Sequence, residues 1–245
     1  MSAQAYFRAV AEALDRLAAE QAEPIRRAAD AVTTAVKGGN ALYAFGASHS
    51  FIIAEELVYR TGGLMLVNPI YPHGMNLFVR PMTLTSRLER VEGLGTELLR
   101  SVPAKRGDVL IVASTSGRNA VAIDMALAAR DMGMTVIGVT SLAYTSGVAS
   151  RHSSGKKLAD LCSIVLDNGA PLGDAAVHVP GFRQAVGPLS TVLGCTVVNA
   201  LVSEVVAQLV ADGFEPPVYM STNLDGGDEY NARLLEHYRD RIHYM

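Results

Sequence analysis

The chain has 245 residues, 49% of them apolar and 18% charged, with a formal net charge of −3. That composition is globular and supports a sizeable core, and without a surplus of basic side chains it disfavours a nucleic-acid partner. The opening MSAQAYFRAVAEALDRLAAEQ is charged throughout, unlike a signal peptide, and no later run reads as an uninterrupted span, so the sequence predicts a cytoplasmic protein that does not use a membrane.

Helical periodicity runs from about Ala3 to Ala18, Pro24 predicts a break, and a second helical stretch ends at Gly38 and Gly39. Residues 41–45 (ALYAF) then read as a buried strand that runs through Gly46-Ala47-Ser48-His49-Ser50 into a helix. The same pattern recurs at strands 65–68, 108–114, 135–140 and 163–167, with a helix over Ala120 to Met132. Five apolar strands alternating with helices predict a mostly parallel sheet covered on both faces. From Gly187 the chain turns helical for about seven turns and is apolar almost all round, which predicts burial in a core or against a second copy. Two polar stretches, Leu142 to Lys157 and residues 217–231 (PVYMSTNLDGGDEYN), read as loops near a ligand. No linker or repeat interrupts the chain, so one domain over 1–245 is expected, with N-terminal helices at 1–37 and a helical tail at 212–245. Cys162 and Cys195 stand far apart among apolar neighbours and read as buried free thiols. The histidines show no paired ligand spacing, so no metal is expected.

Two strand-to-helix turns carry the chemistry. Each lies where ligands bind in open α/β sheets, beyond the carboxyl end of a parallel strand. In Gly46-Ala47-Ser48-His49-Ser50 small residues allow a close backbone approach, and a helix N-terminus follows. In Ser114-Thr115-Ser116-Gly117-Arg118-Asn119 three hydroxyls, a guanidinium and an amide fall within one turn. Either turn alone needs no more than capping to explain it. Two of them in one sheet, neither matching the dinucleotide nor the P-loop glycine pattern, point to a phosphorylated metabolite that is not a nucleotide.

At these residues the chain resembles the sugar-isomerase (SIS) family, whose first strand ends in Gly-x-Gly-x-Ser and whose third ends in Ser-x-Ser-Gly-x-Thr. Ser48 stands here in place of a glycine, and Asn119 in place of the threonine. The resemblance spans about residues 25 to 210. It implies a three-layer α/β/α sandwich on a five-stranded parallel sheet in flavodoxin-like order, and a homodimer whose active sites are completed across subunits. GASHSFIIAEELVYRTGG, DNGAPLGDA, VGPLSTVLG and STNLDGGDEYN further resemble a stand-alone subgroup acting on amino-sugar 6-phosphates, which includes N-acetylglucosamine-6-phosphate dehydratases.

Proton abstraction beside a sugar carbonyl needs a carboxylate near the substrate. Glu56 falls on the same helical face as His49, and Ala54-Glu55-Glu56-Leu57 resembles the segment of phosphoheptose isomerases whose second glutamate is catalytic, although Glu56 comes one turn earlier after the turn serine. An exposed pair with Arg60 is the plainer alternative. His49 and His152 are the candidate acids. Phosphoheptose isomerases place a histidine early in the long C-terminal helix, and Pro188-Leu189-Ser190-Thr191-Val192 has none. Ser48, Ser50, Ser114, Thr115, Ser116 and Asn119 are expected to hold the phosphate, and Asp174, Ser190 and Thr191 to lie near the sugar. The resulting expectation is a dehydratase that removes the C2 proton and expels the C3 hydroxyl of an amino-sugar 6-phosphate, needing neither metal nor organic cofactor. An aldose–ketose isomerase and a non-catalytic sensor are the alternatives.

Overall fold

A computed structural model describes residues 2–245. In chain order the elements are α1 (Ser2–Lys37), β1 (Leu42–Gly46), α2 (Ser50–Glu56), β2 (Val67–Pro69), α3 (Thr83–Leu88), α4 (Leu94–Arg100), β3 (Val109–Ala113), α5 (Ala120–Asp131), β4 (Thr135–Thr140), α6 (Leu142–Ser146), β5 (Ile164–Asp167), β6 (Ala175–Val177), β7 (Val186–Pro188), α7 (Ser190–Ala211) and α8 (Gly227–His237). The first five strands form one parallel sheet in the order β2-β1-β3-β4-β5. This is the flavodoxin-like order, and the sequence expectation of a five-stranded three-layer fold holds.

Alternation along β1 shows why both faces are covered. Leu42 and Ala44 point into a core shared with α1, α2 and α7, whereas Tyr43 and Phe45 point into a core shared with α4 and α5. All five residues of β1 and of β3 are buried, as a parallel strand under two helical layers requires. Asp108, fully buried just before β3, accepts from the Ala41 backbone N–H at 2.9 Å and the Lys105 backbone N–H at 2.8 Å, fixing where β1 and β3 start.

Three expectations change. Pro24 does not split the first helix: α1 runs through it for 36 residues. Proline removes one backbone bond, but Leu17 and Gln21 before it and Ala28, Ala29 and Val32 after it are all buried, so packing holds the two halves in line. Pro24→Ala is therefore expected to stabilise the fold by about 1–3 kcal/mol, read as a higher denaturation midpoint in urea. Next, the long C-terminal helix begins at Ser190 rather than Gly187, because Val186–Pro188 pairs antiparallel with Ala175–Val177. Finally, α7 is long and apolar enough to cross a membrane by length and composition, with a mean hydropathy of 1.7. One face of it is buried against α1 and α2, so burial is not all round.

Candidate functional site

The strand order reverses direction at β1 and β3, and a cavity opens there beyond the carboxyl ends of both strands. Its volume is about 240 Å³, and both hydroxyl-rich turns line it: Ala47 to Ser50 from one side, Ser114 to Ser116 and Asn119 from the other. Glu89, Tyr144, Asp174 and Ser190 complete the wall.

Local sequence explains both turns. A Cβ on Gly46 would lie 2.2 Å from the Ser50 carbonyl oxygen, so only glycine lets the chain fold back to start α2. Ser48, at the family's second glycine, takes a left-handed φ of 55°. A glycine would hold that conformation without strain; serine holds it at a cost and adds a hydroxyl to the cavity wall. The Ser48 N–H donates to the Met75 carbonyl at 2.7 Å, anchoring the turn. In the second turn Gly117 has a φ of 60° and packs against Thr140 and Thr145, which leaves Ser114, Thr115 and Ser116 on the cavity side.

Asn119 precedes α5 in extended conformation but does not cap it. Its amide Nδ2 donates to Glu89 Oε2 at 2.7 Å, and its Oδ1 accepts from Arg151 at 3.1 Å. The Glu89 carbonyl accepts from the Val121 N–H in the first turn of α5 at 3.1 Å. The segment after α3 is thereby pinned over the end of α5, and Glu89 enters the cavity wall. Burial pushes its carboxyl above the ordinary value, against the opposing pull of Asn119, Arg90 and Arg151. A carboxyl raised in the folded state gives stability that is full below the ordinary carboxylate range and is lost as pH rises through the raised value. At neutral pH Glu89 thus costs the fold something. Nothing in the sequence around Arg87-Leu88-Glu89-Arg90 signals this placement, because it depends on a contact with α5.

Not every expected residue lines the cavity. Glu56 ends α2, where its Oε1 accepts from Asn199 of α7 at 2.8 Å and pairs with Arg60 Nε at 3.1 Å. That is the plainer pairing expected of it, extended by a contact to α7. His152 also stands outside: its Nδ1 accepts from the Ser154 N–H at 3.1 Å, so Nε2 carries the proton that bonds Asp124 Oδ1 at 3.0 Å. The ring is spent on fastening residues 150–156 to α5. His49 does line the cavity. Asp174 accepts from the Ser190 N–H at 2.7 Å and the Ser190 hydroxyl at 2.6 Å, so this pair starts α7 as well as closing the cavity. Thr191, one residue on, is half-buried and outside the lining.

Of the two polar stretches, the first contributes Tyr144, and Arg151 stands behind Asn119. The second, expected near a ligand, lies elsewhere: Val218 bridges to Leu64 and the Tyr219 N–H donates to the Gly63 carbonyl, beyond the β2 edge. Much of its Gly-rich end is already the first turn of α8. Both cysteines are free and partly buried, and burial pushes the Cys195 thiol up to about 11. Among the described residues no group of three or more His, Cys, Asp or Glu side chains is placed to hold a metal ion.

Comparison with known proteins agrees with this architecture. The SIS domain family matches residues 5–141. A UPF0309 protein of Shouchella clausii is 49% identical over 240 residues, covering 98% of each chain. Among solved structures, the phosphoheptose isomerase of Neisseria gonorrhoeae superposes with a TM-score of 0.55 at 18% identity, covering 84% of this chain and 97% of that one. The phosphoheptose isomerase of Francisella tularensis superposes with a TM-score of 0.53 at 16% identity, over 82% and 95%. Identities this low speak for a shared fold, whereas the family match and the UPF0309 relative speak for descent. The chain belongs to the SIS domain family and, within it, to the UPF0309 proteins.

Proposed function

We propose that the chain binds a phosphosugar in the cavity between the β1 and β3 turns and moves a proton at the carbon beside its carbonyl, as an aldose–ketose isomerase. One observation carries this reading: hydroxyls from two separate turns converge on one cavity at the point where the sheet reverses direction. Ser48, Ser50, Ser114, Thr115 and Ser116 would hold the phosphate, with the N-terminus of α5 contributing its positive dipole end. His49 would donate to the sugar oxygen that becomes negative. The solved structures named above are called isomerases, and this supports isomerisation ahead of the loss of water expected from the subgroup resemblance.

A second reading keeps one specific support. The start of α7 carries Ser190 and Thr191 where phosphoheptose isomerases place a histidine, and this favours elimination of the C3 hydroxyl from an amino-sugar 6-phosphate. Incubation with glucose 6-phosphate, sedoheptulose 7-phosphate and N-acetylglucosamine 6-phosphate separates the readings. An isomerase gives a product of unchanged mass, and a dehydratase gives one lighter by water that absorbs in the near ultraviolet. Binding without any turnover would leave a sensor and sink both enzyme readings.

The proposal includes a homodimer. The outward side of α7 presents Val192, Thr196, Asn199, Ser203, Ala207 and Val210, all exposed and none charged. An uncharged stripe along a long helix suits a second copy better than water. Glu56 borders it through Asn199, so a partner docked there would cover that carboxylate. Light scattering is expected to give about twice the chain mass, and Val192→Lys with Thr196→Lys to give the single-chain mass. A single-chain mass for the unaltered protein at micromolar concentration would refute the dimer.

A further inference from the structure

Resting on the phosphosugar reading above, we infer that Glu89, rather than Glu56, is the carboxylate that takes the proton from the sugar carbon. Glu89 lines the same cavity as both hydroxyl-rich turns and His49. Glu56 does not, and its carboxylate is already engaged by Asn199 and Arg60. Glu89 is also held in one orientation: Asn119 Nδ2 bonds Oε2 at 2.7 Å while Arg151 bonds Asn119 Oδ1 at 3.1 Å, so the chain Arg151 to Asn119 to Glu89 leaves Oε1 free of that contact. A base must be fixed and within reach before its basicity matters. Two further contacts secure the segment that carries it: the Gly93 N–H donates to Asp124 Oδ2 at 2.7 Å, and Asp124 Oδ1 accepts from His152. Ser153 donates its backbone N–H to Glu92 Oε1 at 2.7 Å, closing residues 150–156 over residues 89–93. His152 therefore serves Glu89 as part of its support.

The step balances without a cofactor. Glu89 removes the proton from C2 of the open-chain aldose, the C2–H electron pair becomes the C1–C2 double bond, and the carbonyl pair moves onto O1, which takes a proton from His49. In the second half His49 takes the O2 proton, the O2–H pair becomes the C2–O double bond, the C1–C2 pair takes up at C1 the proton held by Glu89, and a ketose of equal mass results. Arg90 and Arg151 are close enough to favour the charged form of the Glu89 carboxyl, the form that takes a proton. The family's threonine would supply a hydroxyl at position 119, whereas the asparagine here bridges a cation and the base.

Exchange of sugar C–H hydrogens for deuterium, followed by NMR in heavy water with the three sugar phosphates named above, tests the assignment. Glu89→Gln should slow exchange roughly 10²-fold or more, keep ligand binding measured by calorimetry within about threefold, and melt no lower than the unaltered protein at neutral pH, since the buried carboxylate is gone. Glu56→Gln should exchange within about threefold of normal. Glu89→Asp, which keeps the carboxyl but draws it back by a methylene, should slow exchange roughly tenfold or more and shift the acidic limb of the pH profile. Normal exchange in both Glu89 variants would overturn the assignment and leave the phosphosugar reading standing. Binding or exchange absent with all three sugar phosphates in the unaltered protein would sink that reading, and the role of Glu89 with it.

Discussion

Replacing Ser114 and Ser116 together by alanine is expected to raise the Kd for a phosphosugar roughly 10²–10⁴-fold. The figure follows from two hydrogen bonds to an ionised acceptor, each worth about 1.5–3 kcal/mol. Both serines sit on the cavity wall at the end of β3, and Gly117 turns the chain so that their side chains stay there. Neither is placed in the sheet core, so the variant should melt within a few degrees of the unaltered protein. Inorganic phosphate gives an independent readout: it should compete with the sugar phosphate in the unaltered protein and bind the variant much more weakly. A double variant that binds every sugar phosphate with unchanged affinity would remove the phosphate site from this cavity.

Gly46→Ala is expected to cost about 3 kcal/mol of stability, the upper part of the range for a forced contact in a packed region. The added Cβ would meet the Ser50 carbonyl oxygen at 2.2 Å, its carbon at 2.5 Å and the Phe51 nitrogen at 2.8 Å. All three are backbone atoms, so no side-chain rotation relieves the contact. The turn must open, carrying Ser48, His49 and Ser50 off the cavity wall. Urea denaturation should show the lost stability, and calorimetry should show sugar-phosphate binding lost by more than the fall in stability explains. Equal stability and affinity in the variant would mean that the turn relaxes without moving its hydroxyls.

The two turns and the strands that feed them were legible in the sequence because their signals are local. A short apolar run, a glycine with no room for a side chain, and a string of hydroxyls lie within a dozen consecutive residues, and no distant contact can reverse them. The order of the sheet came from the family resemblance that those turns carry, and the structure has it. Pro24 shows the limit of such local reasoning: one missing hydrogen bond predicts a break, yet the buried residues on either side outweigh it. The carboxylates show the limit more sharply. Glu56 fits a helical stripe and resembles a segment of phosphoheptose isomerases, but α2 ends there against α7, with the carboxylate bonded to Asn199. Glu89 has no periodicity, motif or spacing to mark it, and it reaches the cavity because its own carbonyl caps the first turn of α5. His152, a candidate acid in the sequence, is bonded instead to Asp124 of α5, a contact that no local pattern signals. What the sequence by itself determined is therefore the scaffold and the two hydroxyl-rich turns, both built from neighbours along the chain. Which carboxylate and which histidine line the cavity was decided by tertiary structure alone, because helix-to-loop contacts between distant residues set where those side chains point.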